Sequence, residues 1–88
     1  MTAFEHAKRL ALGEGFDILH LLGHYQGKAV YSFRSSVEIG SQDAAVRPLL
    51  ILADDNGARF TEEHAFAIIL RDMTHELHTP IGLLAPAQ

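Results

Sequence analysis

The stretch RPLLILADDNGARFTEEHAFAIIL, residues 47–70, decides the fold class of this chain. Within it, residues 49–53 are a continuous apolar run, which is typical of a buried strand, and residues 54–57 (DDNG) have the composition of a hairpin turn. Residues 58–60 resume as a brief second strand, after which Thr61 is placed to cap a helix. Two short strands followed by a helix predict a small α+β core.

The helix that begins at Thr61 is predicted to continue to Thr79. Pro80 should end it there, since the residue before a proline disfavours helical geometry. Glu62 and Glu63 lie in the first turn, where the helix dipole favours negative charge. The apolar residues of this helix recur at helical spacing and should form one stripe: Phe66, Ile69, Leu70, Met73 and Leu77.

The N-terminal part of the chain predicts one helix and one hairpin. Residues 2–5 (TAFE) have the spacing of a capping box, so a helix is expected over residues 3–12. Residues 16–25 are apolar at both odd and even positions, which fits a strand buried on both faces or a turn of helix. Residues 28–34 alternate between apolar and polar, and Gln26-Gly27 supplies turn chemistry, which favours two strands in a hairpin.

These segments together predict the order α-β-β-β-β-α, in which an antiparallel sheet of three to four strands carries both helices on one face. A single α+β domain is expected over residues 1–78, followed by a flexible C-terminal tail, residues 79–88. Residues 35–46 show no period and should form a long loop. The core is expected to contain the larger apolar side chains of these elements: Phe4, Leu10, Phe33, Leu50, Leu52, Phe66, Ile69, Leu70 and Met73.

The composition limits the classes of function. The 88-residue chain has a net charge of −4, and its seven Lys and Arg are scattered, which argues against binding to a nucleic-acid backbone. It has no cysteine, which excludes disulfides, thiolate metal sites and a cysteine nucleophile. No apolar run approaches the roughly 18–20 residues of a membrane span, and charged residues interrupt the N-terminal segment where a secretory signal would be continuous. We therefore expect a cytoplasmic protein that binds neither nucleic acid nor membrane.

Residues 73–81 (MTHELHTPI) contain a recognisable motif. They resemble the phosphoacceptor box of sensor histidine kinases, in which a histidine followed by Glu-Leu-Arg-Thr-Pro lies on a dimerisation helix. The resemblance implies that His75 would accept a phosphoryl group and that Glu76 would assist it. His78 stands where the family has an arginine, and no Gly-rich nucleotide-binding stretch precedes the motif.

Six histidines raise the question of a metal site. On the predicted helix, the side opposite the apolar stripe carries four polar side chains: His64, Arg71, His75 and His78. His64 would lie about 16 Å from His75 at the rise of a helix, and residues 75–78 (HELH) miss the HExxH spacing of zinc proteases. His20 and His24 would lie about 13 Å apart along a strand. Neither a native metal site nor a cofactor is therefore expected.

Two classes of function remain for this chain. The first is a small soluble, non-catalytic interaction module that binds a protein partner or forms a homodimer, because a domain of 88 residues without disulfides has a modest apolar core. The alternative is a histidine-centred phosphotransfer or metal-binding protein that uses the end of the last helix. Its candidate residues are His75, His78, Glu76 and Arg71.

Overall fold

A six-stranded antiparallel sheet lies at the centre of the molecule, in a computed structural model that describes residues 1–36 and 49–83. The described elements, in chain order, are α1 (Ala3–Gly13), β1 (Ile18–Tyr25), β2 (Lys28–Arg34), β3 (Ile51–Asp54), β4 (Gly57–Phe60), a 3-10 turn (Glu63–Ala65), α2 (Phe66–Asp72), β5 (Thr74–His75) and β6 (Ile81–Gly82). The strand order is β4-β3-β2-β1-β5, and β6 also pairs with β1.

This architecture confirms the α+β class and the antiparallel sheet. The prediction of three to four strands undercounts, because β5 and β6 form within the segment that was expected to be helix and tail. β6 and the buried side chain of Leu83 lie within residues 79–88, the segment predicted as the tail. Residues 84–88 and most of the predicted loop over residues 35–46 lie outside the described residues.

The two hairpins follow from local turn chemistry. Gln26 and Gly27 connect β1 to β2 with φ angles of 51° and 78°, as a tight turn between twisted strands requires. The second turn consists of Asp55 and Asn56, one residue earlier than the predicted Asn56-Gly57, and Gly57 already pairs with Asp54. The Asp54 carboxylate fixes this turn by accepting hydrogen bonds from the backbone N–H groups of Asn56 and Gly57.

Each helix contributes to a separate hydrophobic cluster. The cluster on the α1 side contains Ala7, Ala11, Phe16, Leu19, Ala29, Tyr31, Ile51, Ala53 and Leu83. The cluster on the α2 side contains Val30, Leu50, Leu52, Ile69 and Met73. Successive residues of a strand point to opposite faces, so Val30 and Tyr31 assign the two clusters to opposite faces of the sheet. The prediction that both helices pack on one face is therefore not confirmed, since β2 and β3 are apolar at consecutive positions and bury both faces.

The predicted core is reproduced in part. Four of its members are buried, namely Leu50, Leu52, Ile69 and Met73. The others pack against the two clusters while remaining partly exposed: Phe4, Leu10, Phe33, Phe66 and Leu70. The prediction omitted three of the largest fully buried side chains, Leu19, Val30 and Ile51.

α2 ends at Asp72, so the predicted continuation to Thr79 is wrong. Met73 adopts an extended conformation with ψ of 157° while its side chain remains buried, and the chain then enters β5. Leu77, the last member of the predicted apolar stripe, has a fully exposed side chain at 101% relative exposure. None of the described helices is long and apolar enough to cross a membrane.

Thr61 does not cap the last helix as predicted. Its buried hydroxyl accepts a hydrogen bond from the backbone N–H of Leu50 at 2.9 Å, and its own N–H donates to the carbonyl of Leu50 at 2.8 Å. Glu62 precedes the 3-10 turn without a side-chain cap. By contrast, Thr2 caps α1 as predicted, since its hydroxyl accepts from the N–H of Glu5.

Replacing Thr61 by valine should lower the free energy of unfolding by about 1–3 kcal/mol, because the buried N–H of Leu50 loses its acceptor. Thr61→Ser keeps the oxygen and is the matched control, with a smaller loss expected. Urea denaturation of both variants measures the difference. A Thr61→Val protein as stable as Thr61→Ser would show that the hydroxyl does not serve Leu50.

Candidate functional site

The outer edge of β1 is covered by two short strands that leave a gap between them. β5 pairs at Gly23 and His24, and β6 pairs at Ile18 and Leu19. Residues 20–22 of β1 therefore lie opposite residues 76–80, which we call the edge loop. The edge loop is two residues longer than the stretch that it spans, so it cannot stay within the ladder of hydrogen bonds and bulges outward.

Contacts with β1 fix the position of the edge loop. The N–H of Glu76 donates to the carbonyl of Leu22 at 2.8 Å. The Nε2 of His20 donates to the carbonyl of His78 at 2.6 Å. Pro80 has no N–H to donate, and pairing resumes after it in β6. The loop is thus attached at both ends and along its length.

Gly23 permits β5 to approach β1. A bulge lies between Leu21 and Gly23, and Gly23 has a φ of 156°. A Cβ atom at this position would lie 1.7 Å from the carbonyl oxygen of Thr74, which no side chain could tolerate. The bulge also exchanges the faces of β1: Leu19 and Leu21, before it, belong to the cluster on the α1 side, whereas Leu22 and Tyr25 belong to the cluster on the α2 side.

A carboxylate and two imidazoles form the polar centre of the site. The Oε2 of Glu76 accepts a hydrogen bond from the Nδ1 of His24, and its Oε1 accepts from the Nε2 of His78 at 3.2 Å. These bonds, first that from His78 and then that from His24, hold the pKa of Glu76 below its usual range. The side chains are 35–50% exposed, so solvent screens the charges.

This arrangement limits what the imidazoles can do chemically. Each ring donates one N–H to Glu76, so in the neutral form its other nitrogen is an acceptor: Nε2 of His24 and Nδ1 of His78. A carboxylate-oriented imidazole with a free nitrogen can accept a proton or act as a nucleophile. The same bonds also fasten the edge loop to β1, which is a structural role.

The predicted site residues have different hydrogen-bond partners. Glu76 and His78 are brought together, whereas the Nε2 of His75 donates to the carbonyl of Leu70 at 2.8 Å, at the end of α2. Arg71 pairs with the neighbouring Asp72 and not with Glu76. His64 pairs with Glu62 at 3.0 Å.

Sequence reasoning missed His20 and His24 as parts of this site. Both belong to β1, and both meet residues more than fifty positions later in the chain. Gly23 was the available signal, because a glycine inside a strand often marks a bulge or the close approach of another backbone. A glycine at this position indicates that another backbone segment lies close to the strand, but it does not show which segment.

A cleft of about 560 Å³ opens beside the edge loop. Its lining combines leucines, imidazoles and a carboxylate: His20, Leu22, Leu70, His75, Glu76, Leu77, His78 and Thr79. Leu22 and Leu70 are partly buried in the cluster on the α2 side, so the inner wall of the cleft is apolar. Within residues 1–36 and 49–83, no group of three or more His, Cys, Asp or Glu side chains could hold a metal ion.

The pKa of Glu76 predicts an acid-sensitive attachment of the edge loop. A carboxyl group whose folded-state pKa is depressed contributes stability that is complete above its usual value of 4.5 and is lost as the pH falls through the lower folded-state value. We expect Glu76→Gln to reduce the acid dependence of the unfolding free energy between pH 6 and pH 3, measured by urea denaturation. Glu63→Gln, an exposed position outside this cluster, is the control, and an equal change in both variants would contradict the assignment.

Comparison of the chain with protein-family models, curated proteins and solved structures finds no match.

Proposed function

We propose that this chain is a non-catalytic interaction module that binds a protein partner through the edge loop and the adjacent cleft. The observation that carries the proposal is the side chain of Leu77, which is fully exposed on a loop attached at both ends. An exposed leucine contributes nothing to the core of its own chain. Its burial by a partner would contribute about 1.5–3 kcal/mol of binding free energy.

The surroundings of Leu77 support a binding surface. Single exposed apolar residues are ordinary on protein surfaces. Here Leu77 adjoins a cleft with an apolar inner wall from Leu22 and Leu70, and Ile81, just after the loop, is 42% exposed. The cleft could receive an apolar side chain of the partner, while the imidazoles at its rim supply hydrogen bonds.

The attachment of the edge loop favours binding for an entropic reason. A loop that is ordered only on binding reduces the affinity by the cost of ordering it. This loop is held beforehand by the bond from Glu76 to Leu22, by the bond from His20 to His78, and by β6. The histidines and Glu76 thereby have a role that requires no catalysis.

The experiment is site-specific photocrosslinking in cells of the source organism. A benzophenone amino acid at position 77 should give a covalent adduct with a protein partner after irradiation. The same probe at Ile68, which is 45% exposed on α2 and outside the cleft lining, is the matched control. If position 77 gives no adduct beyond the control, the edge loop is not an interaction surface.

A second candidate function is histidine-centred phosphotransfer, which the orientation of His78 by Glu76 favours. Incubation with acetyl phosphate followed by ³¹P NMR would then detect a phosphohistidine that is lost in the double variant His75→Ala, His78→Ala. An interaction module should show no such signal. Its crosslink through position 77 should persist in the double variant, because the bond from Glu76 to Leu22 and the pairing of β6 still hold the edge loop.

A further inference from the structure

We propose that residues 74–82, which comprise β5, the edge loop and β6 and which we call the strap, open as one unit while the rest of the sheet stays folded. The strap runs along the outer edge of β1, and its residues 75–79 line the cleft. Opening therefore removes the cleft and uncovers the backbone edge of β1. The inference concerns the conformation of this edge and does not rest on the proposed function.

Burial holds the strap only at its two ends. Every residue from 74 to 82 is exposed except Glu76, which is partly exposed. The flanking side chains of Met73 and Leu83 are each 5% exposed, and they belong to the clusters on the α2 side and the α1 side, respectively. Because the burial of apolar surface is the dominant favourable contribution to folding, little stability is lost when the strap leaves β1.

Hydrogen bonds attach the strap to β1 between these ends. β5 and β6 each pair with two residues of β1, and the N–H of Glu76 donates to the carbonyl of Leu22 between them. The side chains add the bonds of Glu76 with His24 and His78 and the bond from His20 to the carbonyl of His78, all of them exposed. Water replaces an exposed bond when it breaks, so each has a small net contribution to stability.

Glu76 links these bonds to one another. Its N–H bonds to β1, one of its carboxylate oxygens accepts from His24 of β1, and the other accepts from His78, whose carbonyl is bonded to His20. Displacement of Glu76 therefore loosens the attachment on both sides of it. A segment held by linked bonds opens as a unit, and its buried ends keep it close enough to β1 to close again.

The remainder of the fold is complete without the strap. β1 pairs with β2 along its whole length, from Ile18 to Tyr25, and β3 and β4 continue the sheet beyond β2. No residue of the strap belongs to either hydrophobic cluster. An opening that leaves both clusters intact costs less free energy than global unfolding.

Amide hydrogen exchange of the full chain, measured by NMR, tests the proposal. The N–H of Glu76 reports on the strap, and the paired amides of β2 and β3 report on global unfolding. We expect the Glu76 amide to be protected from exchange, but at least about 100-fold less than the amides of β2 and β3. Its protection should also respond less to low concentrations of urea, because opening of the strap exposes little surface.

Two substitutions distinguish partial opening from global unfolding. Ile51→Val trims a fully buried side chain of β3 and should lower the protection of β2 and β3 by about 2- to 10-fold without changing that of the Glu76 amide. Glu76→Ala removes the carboxylate bonds, which are lost in both kinds of opening. It should lower the protection at position 76 and in β2 and β3 by the same factor, about 10-fold.

Three results would overturn the proposal. If Ile51→Val lowers the protection of the Glu76 amide as much as that of β2 and β3, the strap opens only with the whole fold. An unprotected Glu76 amide in the wild type would show that the strap is not closed. Unchanged protection at position 76 in Glu76→Ala would show that the carboxylate does not link the bonds into one unit.

Discussion

Gly23→Ala should destabilise the protein on the order of 3 kcal/mol, enough to detach β5 from the sheet. A Cβ atom at this position would lie 1.7 Å from the carbonyl oxygen of Thr74 and 2.8 Å from the terminal methyl group of Met73. The first of these contacts is with backbone, so it cannot be relieved by rotating a side chain. The φ of 156° adds strain for any residue other than glycine.

Urea denaturation measures this loss, and hydrogen exchange of residues 74–76 reports on the detachment of β5. Gly13→Ala is the matched control, because a Cβ atom there would meet nothing within 4 Å. That substitution should be neutral or slightly stabilising. Equal effects of the two substitutions would show that β5 does not approach β1 as described.

Leu19→Ala should lower the free energy of unfolding by about 2–5 kcal/mol. The side chain of Leu19 is fully buried in the cluster on the α1 side, and its backbone lies between Phe33 of β2 and Ile81 of β6. Truncation removes apolar contacts and leaves a cavity in the cluster on the α1 side of the sheet. For a domain whose total stability is about 5–15 kcal/mol, a loss of this size removes a large share.

Leu77→Ala is the control for Leu19→Ala, because it makes the same chemical change at a fully exposed position. We expect it to alter the free energy of unfolding by less than about 0.5 kcal/mol. Denaturation midpoints of the two variants provide the comparison. A Leu19→Ala protein that matched Leu77→Ala would contradict the burial of Leu19.

Local features of the sequence predicted the elements that local interactions determine. The cap at Thr2 and the turn at Gln26-Gly27 each depend on residues a few positions apart, and both occur as expected. The apolar run of β3 was also recognised. The alternation of apolar and polar residues in β2 identified a strand. It did not show that both faces of this strand are buried, one in the cluster that contains residues of α1 and the other in the cluster that contains residues of α2.

Only the part of the candidate site whose residues lie close together in the sequence could be predicted. Glu76 and His78 lie two positions apart, and both were among the candidate residues at the end of the predicted last helix. His24 joins them from 52 positions away, and His20 meets His78 from 58. No periodicity in the sequence relates residues at that separation, because their meeting depends on how β5 and β6 pair with β1.

The amino-acid sequence by itself determined the α+β class, the first helix and the two hairpins, since periodicity and turn residues act over a few positions. The end of α2 was decided by tertiary structure. Up to Met73 the apolar spacing suits a helix and the cluster on the α2 side, and Leu77 continues the same helical phase. After Met73 the chain instead forms β5, because the edge of β1 has backbone groups that can pair with it and Gly23 leaves room for the backbone of Thr74. Leu77 is left exposed because the edge loop is longer than the gap that it spans.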